Sequence, residues 1–227
     1  MALIYRETRL ADVIANETSV IPVINRFGIN LGTGDATVDA VCRVHNLDTD
    51  FFLAILNTFI NEGYFPEEKL RGFKASEIID YLVKTNAYYS RFQLPNIRRH
   101  FTMLINSAGD GNSNLELMLK FYQGLENDLM SRIERDNKDW FPSILAAANG
   151  TPCMTPVNHK EETLVEDKLN DLKSMFIKHL SGDYDLNLCY GVIVAIVTLE
   201  KDLRQNNRIR NRILLPVSRS LQQNTNR

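Results

Sequence analysis

The sequence holds only three cysteines, Cys42, Cys153 and Cys189, widely spaced and without a CxxC pair. That usage argues against a disulfide framework and for a reducing compartment. Long apolar runs are missing as well: the longest, around Gly191 to Leu199, falls well short of the ~20 residues a spanning helix needs. The opening stretch, MALIYRETRL, carries no apolar signal-peptide core. A cytoplasmic protein with no membrane partner is therefore expected. Neither sign of charge dominates, since 26 basic side chains face 28 acidic ones and the net charge is −2. Such a balance gives no overall attraction to nucleic acid or anionic lipid. Strand-type alternation is nearly absent. No strand signal precedes Gly28 to Gly34 and no GK[ST] follows it, which sets a phosphate loop aside. No Ser-His-Asp arrangement supports a hydrolase, and no enzyme is expected.

What is present is helical periodicity in almost every window, so the expected class is all-α. With 44% hydrophobic and 24% charged side chains, the chain has room for one large domain and a small one. Residues 1–61 read as a small helical domain, marginal alone at ~60 residues, with helices at Leu10 to Asn16, Ser19 to Phe27, Thr37 to His45 and Asp48 to Phe59. Asp48 is the expected cap of the last. The glycine turn requires positive φ at Gly32 or Gly34, with Asp35 capping the helix that follows. Residues 62–73, with Gly63, Pro66 and Gly72, read as a linker. Residues 74–221 hold four long helical segments. They run from Ser76 to Ser107 with a kink at Pro95, from Ser113 to Trp140 with a stop at Pro142, from His159 to Leu180, and from Leu186 to Leu221. Four such helices make an up-down bundle the default. The tail 222–227 is expected to fray.

A frame then occurs twice with identical spacing: Leu129, Arg132, Asp136, Trp140-Phe141-Pro142, and Leu203, Asn206, Arg210, Leu214-Leu215-Pro216. Backwards from Arg132, the same period meets Leu129, Leu125, Tyr122, Met118 and Leu115. Arg132, Asp136, Asn206 and Arg210 thus fall on apolar stripes and are expected to be buried. Buried charge is costly unless paired.

In bundles this frame has a chemical use, since an imidazole and a carboxylate four residues apart share one helical face and two such helices can hold a pair of metal ions. The chain resembles the iron-sulfur cluster repair di-iron proteins, whose hemerythrin-like four-helix bundle carries HxxxE followed by an apolar pair and Pro on two helices. A small helical domain with adjacent cysteines in a glycine turn precedes that bundle. The likeness covers essentially the whole chain, including Phe27-Gly28-Ile29-Asn30, Thr37 to Cys42, Leu47-Asp48 and Tyr88 to Pro95. By this resemblance the ligand positions fall on Arg132, Asp136, Asn206, Arg210, Asn86 (or Ala87), Asn106 and Glu162, and the paired cysteines on Gly32 and Thr33.

Arginine offers donors only and stays charged, so Arg132 and Arg210 cannot hold iron. The expectation is a buried polar network: two guanidinium groups facing Asp136 and Glu162, with Asn86, Asn106 and Asn206 completing the hydrogen bonds and no metal or cofactor. Two other readings stay open: the arginine stems reach solvent, or a displaced di-iron site uses Asp136, Glu162 and His179. What the resemblance implies is stress-linked iron-sulfur cluster repair, oxidative or nitrosative (nitric oxide). The departures turn that into a binding or regulatory role toward a protein partner, a paralogue or a damaged iron-sulfur protein, with a homodimer left open. Nucleic acid is not the expected partner, although Arg204, Arg208, Arg210 and Arg212 cluster.

Overall fold

Helices begin where side chains can satisfy the first free backbone N–H groups. In the computed structural model, which describes residues 2–108, 112–151 and 160–225 with backbone alone at 160–163 and 222–225, Thr37 accepts from the Ala40 N–H at 3.2 Å and Asp48 from the Phe51 N–H at 2.9 Å. These caps open α3 (Val38–Val44) and α4 (Thr49–Ile60). The cap of α3 is Thr37 and not Asp35, which pairs with Arg9 at 3.2 Å instead. Before them lie α1 (Leu10–Asn16) and α2 (Ile21–Arg26). Gly28, Gly32 and Gly34 all adopt positive φ in the turn between α2 and α3. The stretch read as a linker contains α5 (Glu67–Arg71), whose Leu70 is fully buried.

The long helices are α6 (Ala75–Tyr88), α7 (Leu94–Ser107), α8 (Ser113–Arg135), α9 (Phe141–Ala148), α10 (Lys160–His179), α11 (Leu186–Ile209) and α12 (Leu215–Thr225). Three of the joints are single π-helical turns: Tyr89–Gln93, Asp136–Trp140 and Arg210–Leu214. Each precedes an apolar residue and a proline: Pro95, Pro142 and Pro216. In an α-helix the proline ring collides with the carbonyl four residues back. Here those carbonyls belong to Arg91, Lys138 and Arg212, each in the middle of a π-turn. Widening the turn by a residue moves the carbonyl aside. Pro142 therefore does not stop the second helix; the chain passes through the π-turn into α9.

The described residues are all-helical, and the only β-type pairing among them is an isolated bridge between Arg9 and Thr37. No described helix is long and apolar enough to cross a membrane. Burial falls into two clusters. One gathers α7, α8, α10 and α11 around Phe101, Met118, Tyr122, Leu169 and Leu199. Tyr122 keeps its hydroxyl satisfied there by donating to the Leu94 carbonyl at 2.7 Å. The other cluster joins α1 to α6 with Trp140, Phe141 and Ile144 and with Ile209 to Leu215. The N-terminal helices thus share a core with the π-turn ends of the long helices.

Candidate functional site: a buried polar centre at the π-turns

The frame seen twice in the sequence occurs a third time: Leu82, Thr85, Tyr89, Gln93-Leu94-Pro95. In every copy the π-turn starts at the second polar position, namely Tyr89, Asp136 or Arg210. Five of the six polar frame residues, Asn206, Arg132, Asp136, Arg210 and Tyr89, have 4% of their surface exposed or less. The sixth, Thr85, is equally buried and donates its hydroxyl to the Tyr81 carbonyl at 2.9 Å. The centre thus lies where two clusters of helices meet.

Its first half is an ion pair. Both η-nitrogens of Arg210 donate to the two carboxylate oxygens of Asp136, Nη2 to Oδ1 at 3.1 Å and Nη1 to Oδ2 more closely. The guanidinium also lies over the Trp140 ring, 4.7 Å from its centroid. Nearby, Arg132 Nη1 donates to Asn207 Oδ1 at 3.0 Å, and Asn207 Nδ2 donates to Glu166.

The second half joins Asn206, expected from the sequence, to Arg26, Asp202 and Tyr81, which the sequence did not single out. Arg26, from the end of α2, forms a bidentate pair with Asp202 of α11, Nη1 to Oδ1 at 3.0 Å. Its Nη1 also donates to the Tyr81 hydroxyl at 3.2 Å, and its plane stacks 4.8 Å from the Tyr88 ring centroid. Asn206 joins this cluster by donating to Asp202 Oδ1 at 2.8 Å and to the Tyr89 hydroxyl at 2.7 Å. Burial alone would lower the pKa of Arg26, but Asp202 and the tyrosines reverse that and hold it well above the usual value. Burial, reinforced by the Asp202 charge, raises the Tyr89 hydroxyl well above its usual pKa. Tyr89 therefore stays neutral.

The remaining expected site residues fall differently. Asn86 is buried but its Nδ2 donates to Asn137 at 3.1 Å, beside the Asp136–Arg210 pair and not within it. Asn106 is exposed, which corrects its assignment to the network: the α7 stripe is Leu94, Ile97, Phe101 and Leu104, so position 106 faces outward. The side chain of Glu162 lies outside the described residues. His179 is exposed, whereas Asp136 is buried. Gly32 is exposed and Thr33 half-buried, and with Ile29, Ala36 and Val44 they line a shallow groove. Phe92, on the first π-turn, is 65% exposed.

The arginine run at the end of α11 and in the π-turn after it has partners within the chain. Arg204 pairs with Glu200 at 2.9 Å, Arg212 with Glu67 at 2.6 Å, and Arg208 donates to the Glu62 carbonyl at 3.0 Å.

The donor set at the frame does not fit a di-iron centre. Arg132 and Arg210 have no lone pair to offer, and Arg210 occupies both oxygens of Asp136. Among the described residues no three His, Cys, Asp or Glu side chains gather to hold a metal ion. No protein-family model and no curated protein matches the sequence.

Proposed function

We propose that the chain is a metal-free relative of the iron-sulfur cluster repair proteins, a hemerythrin-like bundle in which guanidinium–carboxylate pairs stand where iron would. It acts as a binding or regulatory partner in the same stress response, toward a di-iron paralogue or a damaged iron-sulfur protein, and not as an enzyme. The observation that supports this is the bidentate Asp136–Arg210 pair at the second polar position of the repeated frame. A cation held there opposes a second cation by direct repulsion. Paired with its carboxylate, it gives the site a closed, neutral interior.

The test is anaerobic loading with ferrous iron, removal of excess, elemental analysis and an absorption scan after exposure to air. Iron far below stoichiometric with no oxo-bridged ferric bands is the expected result. A pair of irons per chain with those bands would overturn it and establish the second reading, an iron-binding repair protein with a rearranged site. The partner half is tested by calorimetry against a purified di-iron homologue and an oxidatively damaged iron-sulfur protein. Absence of binding to both would remove it.

A further inference from the structure

A cavity of about 370 Å³ opens between the end of α2 and the first π-turn, lined among others by Arg26, Phe27, Lys84, Tyr88, Arg91 and Phe92. Its size falls within the range of small-molecule pockets, roughly 300–1,000 Å³. The reading proposed above makes no use of it. Among the described residues no acidic side chain lines this cavity, whereas three cations do.

The three cations are not equivalent. Arg26 forms the back wall and is already neutralised by Asp202. Lys84 pairs with Asp80 at 2.7 Å, but both are about half exposed, and such a helical pair is weak. Arg91 is exposed and has no hydrogen bond or ion pair among the described residues. The rim therefore carries an uncompensated positive charge.

The walls are aromatic. Phe92 stacks on Tyr88 with centroids 6.3 Å apart, and the Arg26 guanidinium lies 4.8 Å from the Tyr88 centroid. Leaving Phe92 65% exposed costs apolar hydration that burial would remove. The π-turn is what carries Arg91 and Phe92 to this place, and widened turns of that kind recur at functional sites.

We propose that this cavity binds a small organic anion, a flat apolar body bearing one acidic group. The body lies against Phe27, Tyr88 and Phe92, and the acidic group pairs with Arg91, with Lys84 as the second cation. The complementarity is of charge and shape together: a neutral aromatic would leave Arg91 unsatisfied, and a bare inorganic anion would leave Phe92 in water.

The test uses 2-naphthoate and its neutral amide as probes, with calorimetry on the full chain. Naphthoate is expected to bind saturably at a single site, and the amide about tenfold more weakly, the scale of a charge-assisted hydrogen bond. Arg91→Gln should weaken naphthoate by about tenfold and leave the amide unchanged, while Phe92→Ser should weaken both. These side chains are exposed, so both variants should fold, which circular dichroism would check. Tyr190→Ser, at another exposed aromatic, should change neither probe. The proposal is overturned if naphthoate does not saturate, if acid and amide bind alike, if Arg91→Gln has no effect, or if Tyr190→Ser abolishes binding.

Discussion

Arg26 and Asp202 lie 176 residues apart in the chain and form a bidentate ion pair with only 2% and 6% of their side-chain surfaces exposed. The pair ties α2 to the last third of α11, across the boundary between the N-terminal helices and the long ones. Removing one member leaves the other charged and dry. Arg26→Ala is expected to cost about 3 to 5 kcal/mol, read as a shift in the urea midpoint. A well-packed Arg26→Met, Asp202→Leu double substitution should recover most of that loss, because an apolar pair has no charge to desolvate. Equal losses in the single and double variants would show that packing volume and not charge is what matters there.

The same reasoning applies to Asp136 and Arg210, where the expected loss for Arg210→Ala is again about 3 to 5 kcal/mol. Part of it comes from the Trp140 face, which the guanidinium covers at 4.7 Å. Arg210→Lys keeps the charge but loses the two-pronged geometry and the stacking, so it should fall between wild type and alanine. A near-zero change in either variant would contradict the burial of this pair.

Deleting Lys138 would turn the Asp136–Trp140 π-turn into an ordinary α-turn and bring the Pro142 ring onto a carbonyl. The expected cost is about 3 kcal/mol. Adding Pro142→Ala to the deletion should restore much of it. If the double variant is no more stable than the deletion, proline is not the origin of the π-turn.

Alkaline pH should weaken the fold. Burial pushes the Cys42 thiol from an ordinary 9.0 up to about 11, and it raises Tyr81 and Tyr89 as well. A raised pKa means the native state holds its protons longer than the unfolded state does. The associated stability is complete below pH 9 and disappears as pH rises through about 11. Urea midpoints from pH 7 to 11 should be flat at first and then fall, each group contributing about 1.4 kcal/mol per pH unit inside its window. Cys42→Val should flatten the start of that fall, and an unchanged profile would show that Cys42 does not carry it.

Much of the helical pattern is legible in the chain because helix burial follows a local period. Leu115, Met118, Tyr122, Leu125 and Leu129 recur on a single stripe and are all fully buried. Arg132 extends that stripe and Asp136 follows it, which is why their cost could be suspected from the sequence alone. The third copy of the frame was readable too, through Pro95, but its polar positions hold Thr85 and Tyr89, residues common enough in cores to pass unnoticed. Asp202 lies four residues before Asn206 and so on the same helical face, a signal hidden by Leu203 beside it. Asn106 went the other way, since the ligand pattern of the resembling family favoured it while the α7 stripe excludes it.

By itself, then, the sequence determined the helical class, the cap at Asp48, and the apolar stripes that carry charge inward, because all of these depend on neighbours within a few residues. Only the tertiary structure decided who pairs with whom. Nothing local marks Arg26, at the end of a helix of six residues, as the partner of Asp202. That choice was made when the N-terminal helices and the π-turn ends closed over a common core, where a charge withdrawn from water must meet its opposite.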